Sequence, residues 1–93
     1  MTIEVHLSGQ LVCVDMDEVV SFVRHLPIHI ALTRAEAGCI FFNVTRTGYP
    51  LLWQVDERFH DDEAFYAHQD GAANSDWGRA TAMIERRYTV EGL

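Results

Sequence analysis

The chain has 93 residues, 48% of them hydrophobic and 23% charged, a balance too apolar for a disordered segment and sufficient for one small core. Fourteen acidic residues stand against seven basic ones, all arginine, and the formal charge of -7 disfavours nucleic acid and anionic membrane surfaces as partners. No apolar run is long enough to cross a bilayer and Met1-Thr2-Ile3-Glu4 lacks the leader of a secretory signal, so the expectation is a cytoplasmic protein of one domain, residues 1–93.

Residues 3–14 alternate, with Ile3, Val5, Leu7, Gly9, Leu11 and Cys13 on one side and Glu4, His6, Ser8 and Gln10 on the other, the period of a half-buried strand. Asp15 and Asp17 offer amino-terminal caps for a helix carrying Val19, Val20, Val23, Leu26 and Ile30. Pro27 predicts a kink or break near Leu26, and Gly38 is the expected stop, glycine being the residue that takes the left-handed terminating conformation at least cost. Cys39 to Arg46 reads as a strand, Thr47-Gly48-Tyr49-Pro50 as a turn, and Leu51 to Phe59 as the antiparallel partner.

Asp61, Asp62 and Glu63 place negative charge at the amino end of a short second helix that runs to Gly71. Ser75 or Asp76 caps a further helix through Glu85, and Tyr88 to Leu93 is the last strand. The order is that of an α+β, ferredoxin-like βαββαβ chain, in which two helices cover one face of a four-stranded antiparallel sheet. The bare face predicts a second copy packed sheet to sheet, a homodimer.

Cys13 and Cys39 each sit in an apolar, strand-like run and neither belongs to a CxxC, so both read as buried thiols. His25 and His29 have the spacing of two metal ligands on a helix, but no glutamate follows His25 and Pro27 spoils the geometry, so no metal is expected. No phosphate loop, dinucleotide fingerprint or GxSxG is present, and Ser21 has no visible histidine and acid partners.

Two stretches carry a resemblance. Thr33, Arg34, Glu36, Gly38, Cys39, Ile40 and Phe42 match a helix-to-strand pattern, with Ala37 where proline is usual, and Glu57, Asp61, Glu63, Ala64 and His68 match a second pattern, with Phe59 in place of a tryptophan. On these motifs the chain resembles the antibiotic biosynthesis monooxygenase family of dimeric α+β barrels over nearly its full length. The resemblance implies that fold, a homodimer, and for the polyketide-type members a reaction without flavin, haem or metal. The substrate, an electron-rich phenol or quinol, loses a proton and itself delivers an electron to oxygen. The haem-degrading branch is not implied, since its asparagine, tryptophan and histidine fall at Leu7, His68 and Ala82.

Such chemistry needs an apolar pocket and a base with a pKa near the working pH. His68 is the leading base; the plainer reading is a packing or capping histidine near a helix end. Glu57 projects to the apolar side of its strand with Trp53, Val55 and Phe59, and Arg34 is a candidate ion-pair partner. Tyr66 offers a phenol to a substrate oxygen, completing the catalytic set His68, Tyr66 and Glu57. Trp53, Phe42, Phe65 and Leu7 are expected to wall the substrate, the plainer reading of such aromatics being core, with Trp77 as a lid or interface anchor and Asn43, on the opposite side of its strand, as a further polar contact or a barrel-lumen or interface residue. No cofactor is expected, and the partners are a second copy and a small aromatic or quinol-like ligand. A non-oxidative isomerase or cyclase, and a non-catalytic small-molecule-binding dimer, are the competing readings.

Overall fold

The computed structural model describes residues 3–93; Met1 and Thr2 lie outside the described residues. The elements are β1 (Val5–Val12), α1 (Met16–Arg34), β2 (Cys39–Arg46), β3 (Leu52–Phe59), α2 (Asp62–Ala73), α3 (Asp76–Ala80) and β4 (Glu85–Glu91). The strands form one antiparallel sheet in the order β2-β3-β1-β4. This is the ferredoxin-like arrangement, with the short α3 added before the last strand.

Register decides what faces the helices. Val5 pairs with Phe59, Leu7 with Glu57 and Leu11 with Trp53, and across β4 Leu11 pairs with Arg86 and Gly9 with Tyr88. Paired residues share a face, so the apolar side of β1 meets the inward residues of its neighbours. Val5, Leu7 and Leu11 are buried there against Phe22 and Leu26 of α1, Phe65 of α2 and Trp77 of α3. Gly9 is required at the centre of the sheet: its φ is +154°, and a Cβ would lie 2.1 Å from the Arg87 carbonyl oxygen.

The helices begin as their caps dictate. The Asp15 carboxylate accepts from the Glu18 amide and the Asp61 carboxylate from the Ala64 amide. The ends differ from the sequence expectation. α1 stops at Arg34, well before Gly38, and Gly38 does not have a positive φ. Its hydrogen is needed for another reason: a Cβ would lie 2.3 Å from the Ala64 Cβ, so Gly38 lets the α1–β2 turn touch α2. Pro27 stands inside an unbroken α1, on its exposed side, and α2 continues through Gly71 to Ala73.

The third helix is much shorter than expected and β4 begins at Glu85, because pairing of residues 85–91 with β1 overrides the helical look of Glu85-Arg86-Arg87. Both cysteines are free thiols, Cys13 buried and Cys39 half-buried, with burial pushing each up from its ordinary value.

The uncovered face is mostly polar. Alternation sends His6, Ser8, Gln10, Asn43, Thr45, Gln54, Asp56, Arg58, Arg87 and Thr89 to it, with His6 and Asp56 3.8 Å apart. The apolar side of β1 is thus already covered by the chain's own helices. No helix among the described residues is long and apolar enough to cross a membrane.

Candidate active site

Between the helix-covered face of the sheet and the helices lies a cavity of about 370 Å³. That volume suits a small organic molecule of a few fused rings at most. The sheet contributes Phe42, Val44, Val55, Glu57, Arg86 and Tyr88, and the helices contribute His29, His68, Gln69 and Trp77. Strand alternation delivers Glu57, because it follows Trp53 and Val55 at period two, and α2 delivers His68, one turn on from the buried Phe65.

His68 and Glu57 are both buried, their side chains 3% and 7% exposed, and His68 Nε2 lies 3.6 Å from Glu57 Oε1. That separation is just beyond hydrogen-bond reach, and Oε1 is a buried atom without a partner. On the other edge of the ring, Nδ1 faces the Glu36 carboxylate, 3.1 Å from one oxygen and 3.2 Å from the other. Burial pushes the Glu57 carboxyl up from 4.5 to about 7, the Glu36 charge adds to the rise, and Arg86 opposes it. At neutral pH the group therefore both holds and releases a proton.

His29 projects from α1 into the same cavity, stacked on Trp77 with ring centroids 4.4 Å apart and 5.8 Å from the His68 ring. Burial first, then His68 and Arg86, lower His29 from 6.5 to about 4, so it is a neutral ring in the wall. Burial also raises the Tyr88 phenol to about 12, with Arg86 opposing and Glu57 adding to the shift.

Arg86 is held in place by three hydrogen bonds: Nη1 donates to the carbonyls of Thr81 (2.7 Å) and Ile84 (3.0 Å), and Nη2 donates to Thr81 Oγ1 (2.8 Å). No carboxylate among the described residues forms an ion pair with it. The cavity thus contains an anchored cation with donors to spare beside a carboxyl poised near neutrality.

The structure brings together four of the nine residues the sequence nominated: His68, Glu57, Phe42 and Trp77. The others lie elsewhere. Tyr66 is 57% exposed, outside the cavity, because it is one position round the helix from the buried Phe65; the phenol that lines the cavity is Tyr88. Phe65 packs on Phe59 in the core, Leu7 is buried in the core beside them, and Trp53 packs edge-on against Phe22 under the Arg46 guanidinium.

Asn43 is on the opposite face of β2, where its Oδ1 accepts from Arg34. Arg34 also donates to the Phe42 carbonyl and does not pair with Glu57, whose carboxylate instead faces the His68 ring. His25 and His29 are engaged separately, His25 with the Ser21 carbonyl and His29 with Trp77. His29, Arg86 and Tyr88 are the wall residues that sequence reasoning missed.

No curated protein matches this chain. Solved structures do. MupZ from Pseudomonas fluorescens is 18% identical, with 99% of this chain and 70% of that one covered at a TM-score of 0.80. SnoaB from Streptomyces nogalater, a cofactor-independent oxygenase, is 11% identical, with 96% and 91% covered at 0.78. A Pseudomonas aeruginosa protein is 21% identical, with 100% and 94% covered at 0.75. At these identities the likeness is one of fold. The family model described as antibiotic biosynthesis monooxygenase matches residues 14–80, well over half of the sequence, and the chain belongs to that family.

Proposed function

We propose that the protein is a cytoplasmic, homodimeric, cofactor-independent monooxygenase that oxidises a small aromatic, polyketide-like or quinol compound with O2. The observation that carries this reading is the buried Glu57–His68 pair in the wall of the cavity, a proton acceptor matched to neutral pH and enclosed by aromatic rings. Family membership and the fold shared with SnoaB, an oxygenase that works without a cofactor, support it.

A phenol held between Phe42, Trp77 and Tyr88 gives its hydroxyl proton to Glu57 or His68. The ring, now an anion, is a strong enough reductant to pass an electron to O2, and the anchored Arg86 guanidinium offsets the negative charge. Recombination forms one carbon–oxygen bond. The resulting peroxide anion takes that proton back, and loss of water then leaves a quinone, so one oxygen atom enters the product, the other leaves as water, and no external reductant is consumed. The chain's own tasks are to bind, to orient, and to take one proton and return it to the peroxide.

The dimer would use the uncovered sheet face. That face mixes Asp56, Glu85 and Glu91 with His6, Arg58 and Arg87, a composition that a two-fold axis can pair with itself. The test of function is oxygen uptake with hydroquinones and naphthols by protein stripped of metal and flavin. Uptake that is lost in Glu57→Gln supports the reading, and ligand binding without any uptake overturns it.

A further inference from the structure

Glu36 stands outside the cavity, in the turn between α1 and β2, yet it grips the far edge of the cavity's histidine. Its side chain is 39% exposed, whereas those of His68 and Glu57 are nearly closed off from solvent. We propose that Glu57, His68 and Glu36 form a proton relay from the cavity to solvent, with Glu36 as the positioning and exit residue. The relay rests on the reading of Glu57 and His68 as the proton acceptor.

The geometry sets the direction. An ionised carboxylate only accepts, so Glu36, within 3.2 Å of Nδ1 through both oxygens, fixes the imidazole proton on Nδ1. Nε2 is then bare and faces Glu57 Oε1, the buried atom with no partner. A substrate proton taken by Glu57 passes from Oε1 to Nε2. The proton already on Nδ1 leaves to Glu36, which releases it to water. One O–H or N–H bond breaks and one forms at each link, and the resting tautomer returns when the relay runs backward: Nε2 hands its proton through Glu57 to the peroxide anion while Nδ1 takes one from water through Glu36.

The other groups facing this pair offer no such route. His29 on α1 is held neutral near 4, Tyr88 on β4 is pushed up to about 12, and Arg86 on β4 has no acceptor atom. Gln69, Ala72 and Ala73 on α2 carry nothing that titrates. Among the groups that line the cavity, His68 is the one that contacts both Glu57 and the outward-facing Glu36.

The test uses 4-nitrophenol, whose absorbance reports its own ionisation, with a pH indicator in stopped flow. Wild type is expected to bind it ionised and to deliver the proton to solution. Glu36→Gln should keep the affinity while proton delivery slows about tenfold or more, with partial recovery in Glu36→Asp. Equal rates in wild type and Glu36→Gln overturn the relay.

Imidazole ¹⁵N spectra decide the relay independently of any ligand. Wild-type His68 should carry its proton on Nδ1, and the Glu57 titration midpoint should fall in Glu36→Gln because a neighbouring charge has gone. A neutral His68 protonated on Nε2, or a Glu57 midpoint indifferent to Glu36, refutes it. Failure of 4-nitrophenol to bind would count against the phenol substrate and leave these spectra to settle the relay.

Discussion

His29 and Trp77 lie face to face, their planes within 3° of parallel and their centroids 4.4 Å apart, joining α1 to α3 across the cavity. Trp77 also packs on Phe22, 5.3 Å between centroids, so one indole closes the wall and reaches the centre of the core. Trp77→Ala should cost about 3–5 kcal/mol in urea unfolding. It should also let water reach His29, whose titration in NMR should move from about 4 back toward 6.5.

Stability should respond to pH in two opposed ways. Glu57 is raised from 4.5 to about 7 on folding, so its stabilising contribution is complete below 4.5 and is lost as pH climbs toward 7. His29 is lowered from 6.5 to about 4, so its contribution is present above 6.5 and is lost as pH falls toward 4. Each is worth about 3 kcal/mol, and they largely cancel between 4.5 and 6.5. Urea unfolding of the wild type should therefore be nearly flat in that window. In Glu57→Gln the cancellation disappears, and stability should rise with pH across it.

Gly38 and Gly71 should behave oppositely when changed to alanine. At Gly38 the new Cβ meets the Ala64 Cβ at 2.3 Å, and a loss of about 1–3 kcal/mol is expected. A second change, Ala64→Gly, should recover part of that loss. At Gly71 nothing lies within 4 Å and the residue is inside α2, so alanine should add about 0.5–1 kcal/mol. Thermal or urea unfolding of the three variants checks both signs.

The proposed dimer has a polar interface, so it should weaken with salt. Light scattering at low ionic strength should report twice the chain mass, and Arg58→Glu, which adds negative charge to an already acidic protein, should shift it toward the monomer. A stable monomer at every concentration would remove the two-sheet assembly.

Alternation made the strands legible and with them the inward-facing Glu57. His68 was found through its motif, and its burial follows from sharing a helix face with Phe65. Tyr66 was misplaced because its neighbour Phe65 takes the buried side. His29 had a signal that went unused: Val19, Phe22, Leu26, His29 and Thr33 recur at three- and four-residue steps, and all are buried. Arg86 and Tyr88 were hidden because residues 85–91 become a strand only when β1 is there to pair with them. The end of α1 and the role of Gly38 depend on a contact with Ala64 in a distant helix, which no local pattern encodes.

Labelled oxygen tests the central claim most directly. Protein free of metal and flavin, supplied with an oxidisable hydroquinone or naphthol under ¹⁸O2, should give a quinone carrying one labelled atom, and Glu57→Gln and His68→Ala should each slow its formation about 100-fold or more. A product with no label, or an isomer formed equally well without oxygen, would contradict the account.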